Sequence, residues 1–383
     1  MVLVMAGLAT IVQSYPMGPI GGRIPMVMGT SIAFLGAIIG IGREHGLGVV
    51  FGACLVGSLV EIVLGFSIVR LKRFFPPLVN GIVVMLIGLT LIPVGVDYAA
   101  GGRGVADYGA PRHLLIAAVV FLTTLLLNQY ASGFFSCASM LVGVTLGYLL
   151  AMGLGQVDFS AVEQAAWFEL PRLWPYGLEF RWAPILVMGF IYVVSTMETI
   201  GDISGTMAAA GRDATTSELK GGLLADGVMS GFAALFSAFP NTSFSQNVGL
   251  VNFTGVLSRH VTAIGGIFLV ALGLVPKIGA VFATIPASVI GGGGLIMFSM
   301  IFSSGAAIFH RGVPLTQRNL VILAVALGLG LGVELRPEVL AGFSQGVRTF
   351  FGSGLITGGL TGLALNAVLP RRVEDLAAQR PAK

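Results

Sequence analysis

The sequence predicts an all-α polytopic membrane protein built from two inverted repeats, and three observations carry that expectation. The first is composition. Of 383 residues, 55% are hydrophobic and only 10% charged, with a mean hydropathy of +0.93, whereas soluble domains carry roughly 25% charged residues. The second is a series of about 13 apolar runs near the length of a spanning helix. They fall at 1–15, 24–41, 46–68, 76–95, 113–130, 134–153, 183–208, 221–239, 241–257, 261–276, 279–308, 318–333 and 349–369. The third is internal similarity. "FPPLVNGIVVMLIG" at 75–88 matches "IPASVIGGGGLIMF" at 285–298, and "IPMVMGTS" at 24–31 matches "FPNTSFSQ" at 239–246, at near-equal offsets of 210 and 215. The run at 24–41 is the second and that at 241–257 the ninth. An odd separation turns the two halves over relative to one another, as in inverted-repeat carriers.

The expected organisation follows from these runs. Residues 1–153 form a first repeat, 154–182 an interfacial connection, 183–370 a second repeat and 371–383 a tail. The connection holds "VEQAAWFELPRLWPYGLEFRW", whose Trp, Tyr and mixed charges suit the membrane–water interface. Most of the 21 Lys and Arg fall on one side, in alternate connections and in the tail, which makes the C-terminus cytoplasmic. An odd number of spans then leaves Met1 outside, with no basic segment of the kind that opens a signal peptide. The expectation is that one further span precedes this sequence.

Several function classes are excluded by what is present. The net charge of +4 is scattered between apolar runs, so nothing suggests nucleic acid. Cys54 and Cys137 both sit in apolar runs, away from any disulfide or metal spacing. Enzyme signatures such as HExxH and GxxxxGK[ST] do not occur, and His45, His113, His260 and His310 lie in connections or at run ends.

Within this apolar chain, "PNTSFSQNVGLVNFTG" at 240–255 is anomalous. Unsatisfied polar groups cost several kcal/mol each in hydrocarbon. A proline-led, polar, β-tolerant stretch followed by a short helix reads as a broken span lining a cavity, paired with its repeat mate at 24–34. The free N–H groups and positive ends of two half-helices would face a ligand there.

Acids inside spans are rare and functional by default. Glu198 and Asp202 in "VSTMETIGDISG" are four apart and share a helix face. Asp226 lies in "LLADGVMSG", and Glu61 in "GSLVEIVLG" reads as structural. No Lys or Arg occurs in the spans that carry them. An acid that stays protonated in an apolar site and ionises on hydration is what proton coupling needs. Gln246 and Asn247 each offer a donor and an acceptor, so with Glu198 they suit an uncharged or weakly acidic ligand rich in N–H and C=O edges. Phe34 and Phe244 either stack on a flat ring or pack in the core. An anion carrier would place Arg or Lys at the half-helix site, and none is there.

At "QNVGLVNFTG" (246–255) the sequence resembles the signature of the nucleobase–ascorbate transporter family, the xanthine/uracil permeases. The likeness extends to "ETIGD" (198–202), "GGLLADG" (221–227) and "GTSIAF" (29–34), in the family's order and over essentially the whole chain. The resemblance implies a 14-span architecture of two inverted seven-span repeats, with core and gate domains each drawing on both repeats. It also implies short strands in two broken spans. It implies proton-coupled uptake of a purine base, xanthine or uric acid, across the cytoplasmic membrane, with no cofactor beyond an ion gradient. Sodium coupling and a homodimer remain compatible with it. Substrate contacts would be Glu198 and Gln246, with Ser245, Asn247, Phe34 and Phe244 beside them. Glu198, Asp202 and Asp226 would carry coupling. Gln at 246 resembles the purine branch, where uracil carriers have Glu. Met1 aligns with the family's second span, and the first span contributes a polar residue near the site in relatives.

Overall fold

The computed structural model describes residues 1–71, 77–244, 247, 251 and 256–370. Helix α1 (Val2–Ser14) leads to strand β1 (Met28–Thr30), a 3-10 turn (Ile32–Phe34) and α2 (Leu35–His45). Helices α3 (Leu47–Leu71), α4 (Pro77–Ala99) and α5 (Pro111–Tyr130) follow. Next come α6 (Phe134–Cys137), α7 (Ser139–Gly153) and the short α8 (Ser160–Gln164). The second half runs through α9 (Trp182–Ala209), α10 (Thr216–Leu235) and strand β2 (Asn241–Ser243). It continues with α11 (Arg259–Gly273), α12 (Pro276–Ala283), α13 (Ala287–Gly312) and α14 (Gln317–Leu335). A 3-10 turn (Pro337–Leu340), α15 (Gln345–Phe351) and α16 (Gly354–Val368) complete the described chain.

Among the described residues, six helices are long and apolar enough to cross a membrane. They are α3, α4, α5, α9, α13 and α14, and the pair α11–α12, bent by 85°, makes a seventh as one broken span. Helices α1, α7 and α16 are shorter apolar helices. Exposed faces such as Leu122, Leu125 and Leu126 of α5, or Ile264, Ile267 and Phe268 of α11, are apolar surfaces that only lipid or protein can cover. This is a multi-pass membrane protein.

Two expected spans prove to be broken. The run 279–308 divides into α12 and α13, and the run 349–369 lies across the end of α15 and α16. The physical reason is punctuation inside continuous apolar sequence. Pro276 opens α12 from its first turn, where a missing N–H costs nothing; Pro286 precedes α13, and Gly352–Ser353 separate α15 from α16. Hydropathy registers how apolar a segment is, and says nothing of its direction.

The described chain forms two compact units, each drawing on both halves of the sequence. The first takes Met1–Ile87, Pro171–Leu272 and the chain from Ser304 onward. Here α3 packs along α9 and α10, and α1 packs on α10 and β1. Small residues make that closeness possible. A Cβ on Gly227 of α10 would lie 2.9 Å from the Ile62 backbone nitrogen, and one on Gly57 of α3 would lie 2.9 Å from the Tyr192 ring. Ile24, Met26, Ile200, Ile203, Met207, Leu219 and Leu223 close one apolar cluster, and Ala9, Val12, Met28, Ala225 and Met229 another. A reciprocal capping box starts α10, in which Thr215 accepts from the Glu218 N–H while Glu218 accepts from the Thr215 N–H at 2.8 Å. Such boxes satisfy two of the donors that a helix start leaves open.

The second unit comprises Gly88–Leu170 and Gly273–Ser303. Helix α5 packs on α7, and Ile116, Val120, Ala151 and Val289 form its core cluster. Tyr148 Oη lies 2.6 Å from Thr284 Oγ1. In the exposed connection before α5, Arg112 and then His113 hold the Asp107 carboxyl low, at about 2.

Candidate functional site

The polar residues that looked anomalous in sequence form one ribbon. Strands β1 and β2 pair antiparallel, with Met28 opposite Ser243, Gly29 opposite Thr242 and Thr30 opposite Asn241. The Ser31 N–H extends the pairing to the Pro240 carbonyl at 2.9 Å. Three-residue strands have two free edges, and buried backbone groups must find partners. Thr10 of α1 closes one edge, its Oγ1 accepting from the Met28 N–H at 2.9 Å. Ser230 of α10 closes the other, accepting from Asn241 N–H and donating to Asn241 O, each at 2.9 Å. Non-helical backbone within an apolar chain is stable here because neighbouring helices lend hydroxyls to it.

Helix α9 faces this ribbon with a polar stripe. Ser195, Thr199, Asp202 and Thr206 recur at helical spacing, and all four are buried. Ser243 Oγ donates to Asp202 Oδ2 at 3.0 Å, and Ser195 Oγ donates to Thr242 Oγ1 at 3.3 Å. Asp226 of α10 is 0% exposed. Its Oδ2 accepts from the Thr199 hydroxyl and, at 3.3 Å, from Thr242. Thr199 and Thr242 lie 3.0 Å apart. Hydroxyls can only donate to an ionised carboxylate, whereas a neutral acid also donates; the network therefore tolerates both charge states of Asp226 by rotating hydroxyls.

The candidate residues are distributed as follows. Glu198 is half-buried on α9, one turn before Asp202, and its charge is felt at Asp226. Phe244 follows β2, and its ring lies against β1: a Cβ on Gly29 would sit 2.3 Å from it. Asn247 Nδ2 donates to the Val27 carbonyl at 2.9 Å, where the Phe244 N–H also donates at 3.3 Å. Phe34 ends the 3-10 turn after β1 and is 0% exposed, its ring edge-on to Tyr192 with centroids 4.7 Å apart. In this structure Phe34 presents no open face for stacking. Gln246 and Ser245 lie outside the described residues. All described candidates belong to the first unit. A separate cleft of about 460 Å³, lined by Arg23, Glu218 and Lys220 among others, shares no residue with this cluster.

The model of the xanthine/uracil permease family matches residues 1–339. The xanthine permease of Bacillus subtilis is 34% identical over 387 residues, covering 99% of this chain and 88% of that protein. The chain belongs to the xanthine/uracil permease family. Two further relatives of this permease are uric acid carriers by name. PucK of Bacillus subtilis is 36% identical, covering 95% of this chain and 85% of that protein; UacT of Escherichia coli is 36% identical, covering 95% and 77%. Among solved structures, the transmembrane domain of the cyanobacterial bicarbonate transporter BicA matches with a TM-score of 0.60, covering 87% of this chain and 88% of that one. At 17% identity that likeness establishes the fold alone.

Sequence reasoning found the acids of this permease and missed the hydroxyls that organise them. Thr10, Ser195, Thr199 and Ser230 carry the hydrogen bonds on which the ribbon and Asp226 depend. Their type gave little signal, because hydroxyls in apolar helices commonly bond back to their own turn. Thr196 does so, donating to the Tyr192 carbonyl at 2.8 Å. The usable clue was spacing, with Ser195, Thr199 and Asp202 on one face.

Proposed function

We propose that this permease imports a purine base, xanthine or uric acid, across the cytoplasmic membrane by proton symport. The observation that carries the coupling is the buried Asp226. Among the described residues its carboxylate accepts from the Thr199 and Thr242 hydroxyls and from no cation, beside Asp202 and Glu198, in apolar runs (183–208 and 221–239) that contain no Lys or Arg. An uncompensated acid within a membrane is costly unless its proton is part of the cycle. The choice of purine is supported by relatives named for xanthine and uric acid over nearly the whole chain, and by Gln at 246. A site rich in acids and without a cation is a poor host for an inorganic anion, so shared fold with a bicarbonate carrier does not extend to its cargo.

Glu198 is assigned the substrate edge and one coupling proton. Replacing it with Gln keeps shape and removes the titrating group. Glu198→Gln is expected to lower apparent xanthine affinity about tenfold or more and to flatten the pH profile of uptake together. Initial rates of labelled xanthine uptake across a pH series check this. Unchanged affinity with an unchanged profile reduces Glu198 to a structural carboxylate.

A further inference from the structure

One fully buried acid, Glu61, makes no hydrogen bond of regular geometry among the described residues, the Ser195 and Thr196 hydroxyls being near enough to form one. It lies midway along α3, the helix held between α9 and α10. It is 0% exposed, and neither carboxyl oxygen has a hydrogen-bond partner among the described residues. Its polar neighbours are Ser195, Thr196 and Glu198 of α9 and Asp226 of α10. The two hydroxyls are turned elsewhere, Thr196 to the Tyr192 carbonyl at 2.8 Å and Ser195 to Thr242 at 3.3 Å. Tyr192 Oη, also within its field, donates to the Cys54 carbonyl at 3.1 Å. On α2, which also packs on α3, the titratable groups Arg43, Glu44 and His45 sit at the C-terminal end, and none borders Glu61.

A purely structural carboxylate in this fold looks different. Glu334 of α14 accepts the Gly354 N–H at 2.7 Å and so caps the start of α16. Among the described residues, Glu61 caps no helix start and faces no cation. Leucine would fill such a place without the cost of a buried polar group, so an acid there asks for another reason.

We propose that Glu61 is a proton-holding residue of the transport cycle, acting through Asp226 without touching the substrate. This rests on the reading of the permease as a proton symporter. With water excluded, two carboxyls facing one interface carry at most one negative charge between them. Glu61 in its neutral form gives its proton, by way of the Ser195 or Thr196 hydroxyl, to an ionised Asp226. Glu61 becomes the carboxylate and Asp226 the acid, with total charge unchanged. The reverse transfer restores the pair when Asp226 next loses its proton to water. Glu61 is thus a positioning residue for the proton.

The test compares Glu61→Gln with the unaltered permease in membrane vesicles. Two readouts are taken: uphill accumulation of labelled xanthine under a proton gradient over about pH 5–8, and xanthine-for-xanthine counterflow without a gradient. Glu61→Gln is expected to lose at least about tenfold in accumulation and to lose its pH dependence, while counterflow stays within about threefold. An unchanged pH profile overturns the proposal, and so does an equal loss in both readouts, which marks a structural acid. If Glu61→Gln does not reach the membrane, Glu61→Asp decides: it should keep accumulation with a displaced pH midpoint, and an undisplaced midpoint overturns the proposal. Failure of the unaltered protein to take up xanthine or urate would instead sink the purine reading itself.

Discussion

Uptake by an Asp226→Ala variant is expected to fall below about one-hundredth of the unaltered permease, with a lowered unfolding temperature in detergent. Alanine removes the acceptor shared by Thr199 and Thr242. These two hydroxyls can still pair with each other across 3.0 Å, so one buried donor is orphaned, at about 1–3 kcal/mol. The space left by the carboxyl adds a cavity term of similar sign. Asp226→Asn separates structure from charge. Its amide oxygen accepts the same hydroxyls, so the fold and xanthine binding should survive within about threefold, while uphill accumulation is lost. Thermal unfolding, equilibrium binding and vesicle accumulation distinguish these outcomes. Equal losses of binding and accumulation in Asp226→Asn would mean that Asp226 only holds β2 against α9.

The second large effect concerns Gln246, whose proposed role rests on the chemistry of its side chain. A Gln offers a carbonyl acceptor and an amide donor, matching adjacent N–H and C=O groups on a purine edge. An ionised Glu can only accept. Gln246→Glu would set a carboxylate against a ring carbonyl and leave a buried acceptor unpaired, costing about 1–3 kcal/mol. That corresponds to roughly 5–150-fold in affinity. Gln246→Asn, shorter but chemically equivalent, should lose less. Competition curves for xanthine in the two variants measure the difference, and normal xanthine uptake by Gln246→Glu contradicts the pose.

How far these features were legible in sequence depended on whether their signal was local. The strand β2 was visible because Pro240, Asn241, Thr242 and Ser243 sit together where apolar residues are expected. Its pairing with β1 was visible only through the repeat offset, since antiparallel register joins residues more than 200 apart. Glu198, Asp202 and Asp226 stood out because acids are costly in lipid. The hydroxyl network around Asp226 was not legible, because Thr199 and Thr242 look like any small polar residue until α9 and β2 are brought face to face. Phe34 shows the same limit from the other side. Its place beside a broken span left stacking and core packing equally open, and the contact that buries it here comes from Tyr192, far along the chain. Glu61 reads as structural in sequence because nothing in "GSLVEIVLG" tells a bonded acid from an unbonded one. The breaks between α12 and α13 and between α15 and α16 were hidden by apolar sequence that runs through both.

The central claim is that the cargo bound beside the β1–β2 ribbon is a neutral or weakly acidic purine and not an inorganic anion. Its most direct test is uptake of labelled xanthine by vesicles containing this permease, challenged in parallel with unlabelled urate, guanine, uracil, sulfate and bicarbonate. The account predicts saturable uptake that urate competes with strongly and uracil weakly, with sulfate and bicarbonate without effect at equal concentration. Competition by sulfate or bicarbonate, with no response to any base, would contradict it.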